Sequence, residues 1–180
     1  MASPYTGRTA ALSLQLSQAH NELRRRLAGV RSALGRSPGA GGDSLTAHCL
    51  AFCAAMTIHH QGEDEGMFTA LLRERPDLEP TVAKLVEDHG LIAAILTRVR
   101  DLADQAAGQN GAALESIGRE LDGLAAVMES HFIYEERAVG AALDTALDAA
   151  PGGALRADDG WTRPVLRLRP PYGPKGAQEP

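Results

Sequence analysis

Thr57-Ile58-His59-His60-Gln61-Gly62-Glu63-Asp64-Glu65-Gly66-Met67-Phe68 has a counterpart much later in the chain, Met128-Glu129-Ser130-His131-Phe132-Ile133-Tyr134-Glu135-Glu136-Arg137. In each, a histidine is followed one helical turn later by a glutamate, His59 by Glu63 and His131 by Glu135. Residues i and i+4 of a helix share a face. An imidazole and a carboxylate so placed are a common way for a helix to hold iron, manganese or zinc. One such pair arises readily on any charged surface. Two pairs carry weight if both lie on stripes that the fold buries.

The surrounding periodicity puts them there. The second segment runs from a cap at Asp43 or Ser44 to about Arg75, before Pro76, on the stripe Leu45, Cys49, Phe52, Met56, His59, Glu63, Met67, Leu71. Gly62 and Gly66 weaken this helix by about 1 kcal/mol each relative to alanine. Either a close neighbour, room for a ligand or a weak helix end accounts for them. The last segment, about Ala112 to Ala149, reads Leu114, Ile117, Leu121, Leu124, Met128, His131, Glu135, Val139, Ala142. Two more amphipathic segments complete the set. One, Thr9 to Leu34, has Leu12, Leu16, Leu23, Leu27, Val30 and Leu34 with His20 in the slot between Leu16 and Leu23. The other starts near Glu79 or Pro80 and carries Val82, Leu85, His89, Ile92, Leu96 and Val99. Breaks fall at Gly35–Gly42 and Ala107–Gly111. The expectation is an all-α, up-down-up-down four-helix bundle over residues 9–149.

Residues 150–180 form a separate Pro/Arg-rich C-terminal extension without helical periodicity. It packs Trp161, Val165 and Leu166 back on the bundle, holds a partner subunit as in a homodimer, or ends loosely ordered; the sequence leaves these open.

Composition sets bounds on function. The 180 residues are 44% hydrophobic and 23% charged, ordinary for one globular domain with an extension. A net charge of −5 argues against nucleic acid as a partner. No apolar run is long enough for a membrane span, and the first residues lack a signal-peptide layout, so the expected location is cytoplasmic. Cys49 and Cys53, one turn apart, read as small core-facing residues rather than a disulfide framework.

Register links the four segments. At about 1.5 Å rise per residue, His20 lies roughly fifteen residues before its connecting loop and His59 roughly fifteen after it. Folding back the third and fourth helices brings His89 and His131 to about the same level, with Glu63 and Glu135 one turn further on. Six core-facing groups thus meet in one layer of an apolar interior. An unpaired carboxylate there costs several kcal/mol. Either a hydrogen-bonded His–Glu network or bound cations would offset that cost, and four helices contributing at one height favour cations. Two divalent ions against two glutamates leave room for a hydroxide or another oxygen ligand.

On His20, His59-to-Glu63 with Met67-Phe68, His89 in Glu87-Asp88-His89, and His131-to-Glu135, the chain resembles hemerythrin-like proteins of the HHE cation-binding family. The likeness covers roughly residues 10 to 148. It implies a non-haem di-iron centre, oxo- or hydroxo-bridged, with manganese also compatible. Glu63 and Glu135 would bridge, His20 and His59 would bind one iron, and His89 and His131 the other. Oxygen-carrying hemerythrins have a further histidine at the place of Ala93, and put the last carboxylate one residue later, at Glu136. One iron is therefore expected to lack a protein nitrogen; water, Tyr134, His60 or Glu136 could complete it. Thr69 stands where many relatives have proline.

Of the other polar residues, His60 is turned about 100° from His59 and is expected to face a neighbouring helix or solvent. His48 reads as a core histidine and Tyr134 as packing. Asp64, Glu65, Glu136 and Arg24–Arg26 read as solvated charges, with Glu87 or Asp88 supporting a ligand histidine. The expected activity is binding and activation of dioxygen, peroxide or nitric oxide, as a catalase-like enzyme or an oxygenase acting on a small organic substrate. The alternatives are a non-catalytic module that stores, carries or senses iron or oxygen, and a purely structural polar network.

Overall fold

The computed structural model describes residues 12–34, 45–106, 109, 111–148 (backbone only for 146–148) and 165. All regular elements among them are helical: α1 (Leu12–Leu34), α2 (Leu45–Gly62), a π-helical turn (Glu63–Met67), α3 (Phe68–Glu74), a 3-10 turn (Pro76–Leu78), α4 (Glu79–Ala106) and α5 (Gly111–Asp148). α1 packs on α2, α2 on α4, α4 on α5 and α5 back on α1, which closes a four-membered ring of chain neighbours. This is the expected up-down-up-down bundle. The proposed starts at Thr9, the turn at Gly35–Gly42, the cap at Asp43 or Ser44, and Trp161 and Leu166 lie outside the described residues.

The second helix departs from expectation. It does not run unbroken to Arg75, because residues Glu63–Met67 form a wider turn in which the Phe68 N–H donates to the Glu63 carbonyl. Gly62 and Gly66 flank and occupy that turn, where a weakened α-helix gives way most easily. The widening lets adjacent residues share the inner face, so that Met67 and Phe68 are both buried.

Two apolar clusters fill the bundle, with a polar layer between them. One contains Leu23, Leu27, Val30, Cys49, Phe52, Met56, Ile92, Leu96, Val99, Leu121, Met128 and Phe132. The other contains Leu12, Leu16, Met67, Phe68, Leu71, Val82, Leu85, Val139, Leu143 and Val165. Along α1, α4, α5 and the run from α2 into the π turn, the stripe passes from one cluster to the other through a histidine or a His–Glu pair. Phe52, Phe68 and Phe132 are almost wholly enclosed; burial of side chains this size is worth about 1.5–3 kcal/mol each. Cys49 and Cys53 are buried and free, their thiols directed at the Val99 and Leu96 carbonyls, as expected of core residues. At the end of the bundle near the start of α1, the Ser13 N–H and hydroxyl donate to the two oxygens of Asp144 at 3.0 and 2.6 Å, tying α1 to α5. His48 is half-buried rather than central, its ring lying against the bare face of Gly29.

Candidate metal centre

Seven ionisable residues make up the polar layer: His20, His59, His60, Glu63, His89, His131 and Glu135, none more than 6% exposed. Their donor atoms fall into two groups. His20, His59, Glu63 and Glu135 form one, and His60, His89 and His131 the other, with the donor atoms of each group within 4.8 Å of one another. Both carboxylates reach across. Glu63 places Oε1 3.0 Å from His59 Nε2 and Oε2 3.6 Å from His89 Nε2. Glu135 Oε2 lies 3.3 Å from His20 Nε2 and 3.7 Å from His131 Nε2. All six residues picked out as ligand candidates are thus brought together.

His60 was expected to face a neighbouring helix or solvent, and of these two the structure has the neighbouring helix. α2 is wedged between α1 and α4, so both sides of its inner face are enclosed. His59 points to the α1 side, His60 to the α4 side, where its ring stacks on His89 at 3.9 Å. Ala93 is exposed on α4; the third imidazole of that group comes from α2 instead. Tyr134, another candidate to fill the gap, is 39% exposed and lines a groove between α4 and α5.

A ring of acceptors orients the imidazoles. Glu136 Oε1 accepts from His20 Nδ1 at 2.8 Å, the Val165 carbonyl from His59 Nδ1 at 3.0 Å, and Asp64 Oδ1 from His89 Nδ1 at 2.7 Å. Carboxylates and carbonyls only accept, so the proton sits on Nδ1 and Nε2 is turned inward. Asp64 and Glu136, expected as solvated charges, therefore act on the centre. Arg24 likewise leaves the solvated face: it pairs with Glu136 and Glu129 and lies over the Phe132 ring. Asp88, expected to support a histidine, pairs with Lys84, and Glu87 is exposed. A sequence signal existed: in both helices the inward glutamate is followed at once by a second acid, Glu63-Asp64 and Glu135-Glu136. Val165 packs on the bundle, one of the alternatives left open for the tail, but the place of its carbonyl beside His59 had no comparable signal.

Burial pushes the His20 ring toward neutrality, but Glu135 and Glu136 outweigh it and hold its pKa up at about 9. Burial, with His20 beside it, drives His59 down to about 3. His131 falls to about 4, also chiefly by burial, and His60 well below the usual range for the same reason. His89 is raised, its burial outweighed by Asp64 and Glu63. Burial and the nearby Glu135 lift Glu63 well above the ordinary carboxylate range, whereas contacts with His20 keep Glu135 low despite its own burial. Without metal, His20 and His89 are biased toward the charged form by the acids beside them, while His59, His60 and His131 are biased toward the neutral one.

The donor set fits a cation. All four oxygens of Glu63 and Glu135 lack a hydrogen-bond partner among the described residues, as do Nε2 of His60, His89 and His131. His59 has its proton on Nδ1, so its Nε2 lone pair faces a carboxylate oxygen of Glu63 at 3.0 Å. Two acceptors at that separation need a proton or a positive ion between them. Nitrogen and oxygen donors without thiolate suit iron or manganese better than a closed zinc site. Asp64→Ala is expected to weaken metal binding by about 10–100-fold while leaving helix content unchanged. A chelator-competition titration measures this, and an unaltered affinity removes Asp64 from the centre.

A four-helix bundle with a buried His/Glu layer able to hold metal ions defines a class of cation-binding proteins. The family model for the hemerythrin HHE cation-binding domain matches residues 13–157. The chain belongs to that family, and membership implies cation binding, typically of iron. No curated protein and no solved structure matches it. Among the described residues, no helix is long and apolar enough to cross a membrane.

Proposed function

We propose that this is a non-haem di-iron protein that binds and activates dioxygen or an oxygen-derived species such as peroxide or nitric oxide. His20 and His59 would hold one iron, His60, His89 and His131 the other, and Glu63 and Glu135 would be shared between them. The observation that carries the reading is the pair of buried carboxylates, each within reach of imidazoles from both groups and with no hydrogen-bond donor. When bound, iron supplies the electrons for oxygen chemistry. The chain's own residues hold it in place and control what reaches it. Glu136 keeps a proton at His20 Nδ1, and Leu16, Phe52, Leu85 and Met128, all fully enclosed, keep bulk water out. The groove between α4 and α5, about 550 Å³ and ending on His131, is a route for a small ligand.

Elemental analysis of protein purified without oxygen should give close to two irons per chain, with a new near-ultraviolet to visible absorption on aeration. No bound transition metal after reconstitution would leave only a structural polar network. Peroxide consumption or an oxidised organic product then separates an enzyme from a binding module. His60→Ala should weaken binding of one of the two ions selectively, because it removes one of three nitrogen donors from the His60, His89 and His131 group and none from His20 and His59. Two tightly held ions in that variant would show that His60 is only a neighbour.

A further inference from the structure

We infer that Val165, which lies beyond the family-matched residues, belongs to the metal centre as the positioning residue that sets His59. The match ends at residue 157. Val165 lies past it, yet is 0% exposed and sits in the apolar cluster with Leu12, Leu16, Met67 and Phe68, directly beside the polar layer. Its carbonyl accepts the Nδ1 proton of His59 at 3.0 Å.

The other two oriented imidazoles use side-chain carboxylates from the bundle itself, Glu136 for His20 and Asp64 for His89. His59 alone relies on a backbone oxygen. That acceptor cannot be altered by changing a side chain; it stays in place only while Val165 stays in its slot. The isopropyl group packed in the cluster is therefore the anchor, and the carbonyl is the working part. With Val165 in place His59 is fully enclosed, so its Nδ1 proton has the fixed carbonyl as partner in place of exchanging water. Without that carbonyl the ring would lose its constraint on tautomer, and the proton could move to Nε2, the nitrogen that faces Glu63 and His20. A metal would have to displace it.

This rests on the proposed role of His59 as a ligand, and the test separates the two. In the full-length chain, Val165→Asp introduces a carboxylate that the apolar cluster cannot hold, whereas Val165→Ile keeps the anchor. The imidazole nitrogen spectrum of the metal-free protein should show His59 protonated at Nδ1 with a downfield-shifted proton. That resonance should vanish in the aspartate variant and persist in the isoleucine one. Zinc and ferrous-ion affinity, measured by chelator competition, should fall by about 10–100-fold in the aspartate variant alone, with helix content unchanged. Val165→Gly, which loosens the anchor without adding charge, is read the same way if the aspartate variant fails to fold. A His59 resonance and metal affinity unchanged in a folded Asp or Gly variant overturn the inference. A parent protein that binds no metal but shows the resonance change supports the positioning of His59 and refutes the di-iron reading.

Discussion

Glu63→Gln is expected to strip the centre of metal and, at the same time, to make the metal-free protein more stable. Among the described residues Glu63 is the only group with carboxylate oxygens near both His59 and His89, and an amide is a poor ligand for a hard cation. If the parent binds iron about a thousandfold tighter than its free concentration, loading contributes about 4 kcal/mol. For a domain of this size that is roughly 8–16 °C in melting temperature. The variant should lose that increment. Without metal the sign reverses. Burial raises the pKa of Glu63 well above normal, so the folded state is penalised for carrying this carboxylate charge, and the penalty grows as pH rises from the unfolded value toward the folded one. Glutamine mimics the protonated acid and removes the penalty. Paired melts with and without iron test both signs. Equal metal content in parent and variant would remove Glu63 from its bridging role.

Stability of the metal-free protein should peak near pH 6.5 and fall on both sides. The alkaline limb belongs chiefly to His20, with His89 and Glu63, both also raised, sloping the same way. The pKa of His20 is raised from 6.5 to about 9, so its contribution is complete below 6.5 and disappears as pH climbs through about 9. At about 1.4 kcal/mol per unit this is on the order of 3 kcal/mol. The acid limb belongs to His59 and His131, lowered to about 3 and about 4, and to His60. These stay neutral in the fold, so the unfolded chain takes up protons first once pH drops below 6.5. If His20 is a ligand as proposed, its Nε2 would go to the metal in the loaded protein and the alkaline limb should flatten. Metal affinity should correspondingly rise about tenfold per pH unit for each proton displaced, up to about pH 9. Urea melts of chelator-treated protein at pH 5, 6.5, 8 and 9.5 check the shape; a metal-free curve level from 6.5 to 9.5 would contradict the role given to His20.

The helical pattern was readable because each stripe is local: Leu16, His20 and Leu23 identify the inner face of α1 without reference to any other helix. The height of the polar layer was readable too, since rise per residue converts position into depth. The π turn was only half legible. Gly62 and Gly66 marked a weak place, but whether a weak helix widens or simply ends depends on what packs beside it. For His60 the choice between a neighbouring helix and solvent stayed open, because a single helix wheel assumes one buried face, while a helix caught between two neighbours has two. Asp64 and Glu136 were misread for the same reason: an acid beside an inward one is solvated unless an adjacent helix brings an imidazole to it.

From the linear chain alone came the four-helix architecture, the layer of His20, His59, Glu63, His89, His131 and Glu135, and the resemblance that pointed to a cation. Spacing is encoded between nearby residues, so no folding was needed to see it. The supporting contacts were decided only by tertiary structure: His60 stacked on His89, Asp64 on His89, Glu136 on His20 and the Val165 carbonyl on His59. Each joins residues between 25 and 116 positions apart, or 29 for the histidine stack. Such pairings depend on which helices touch and on how far each is rotated about its own axis, and neither quantity is set by any one segment.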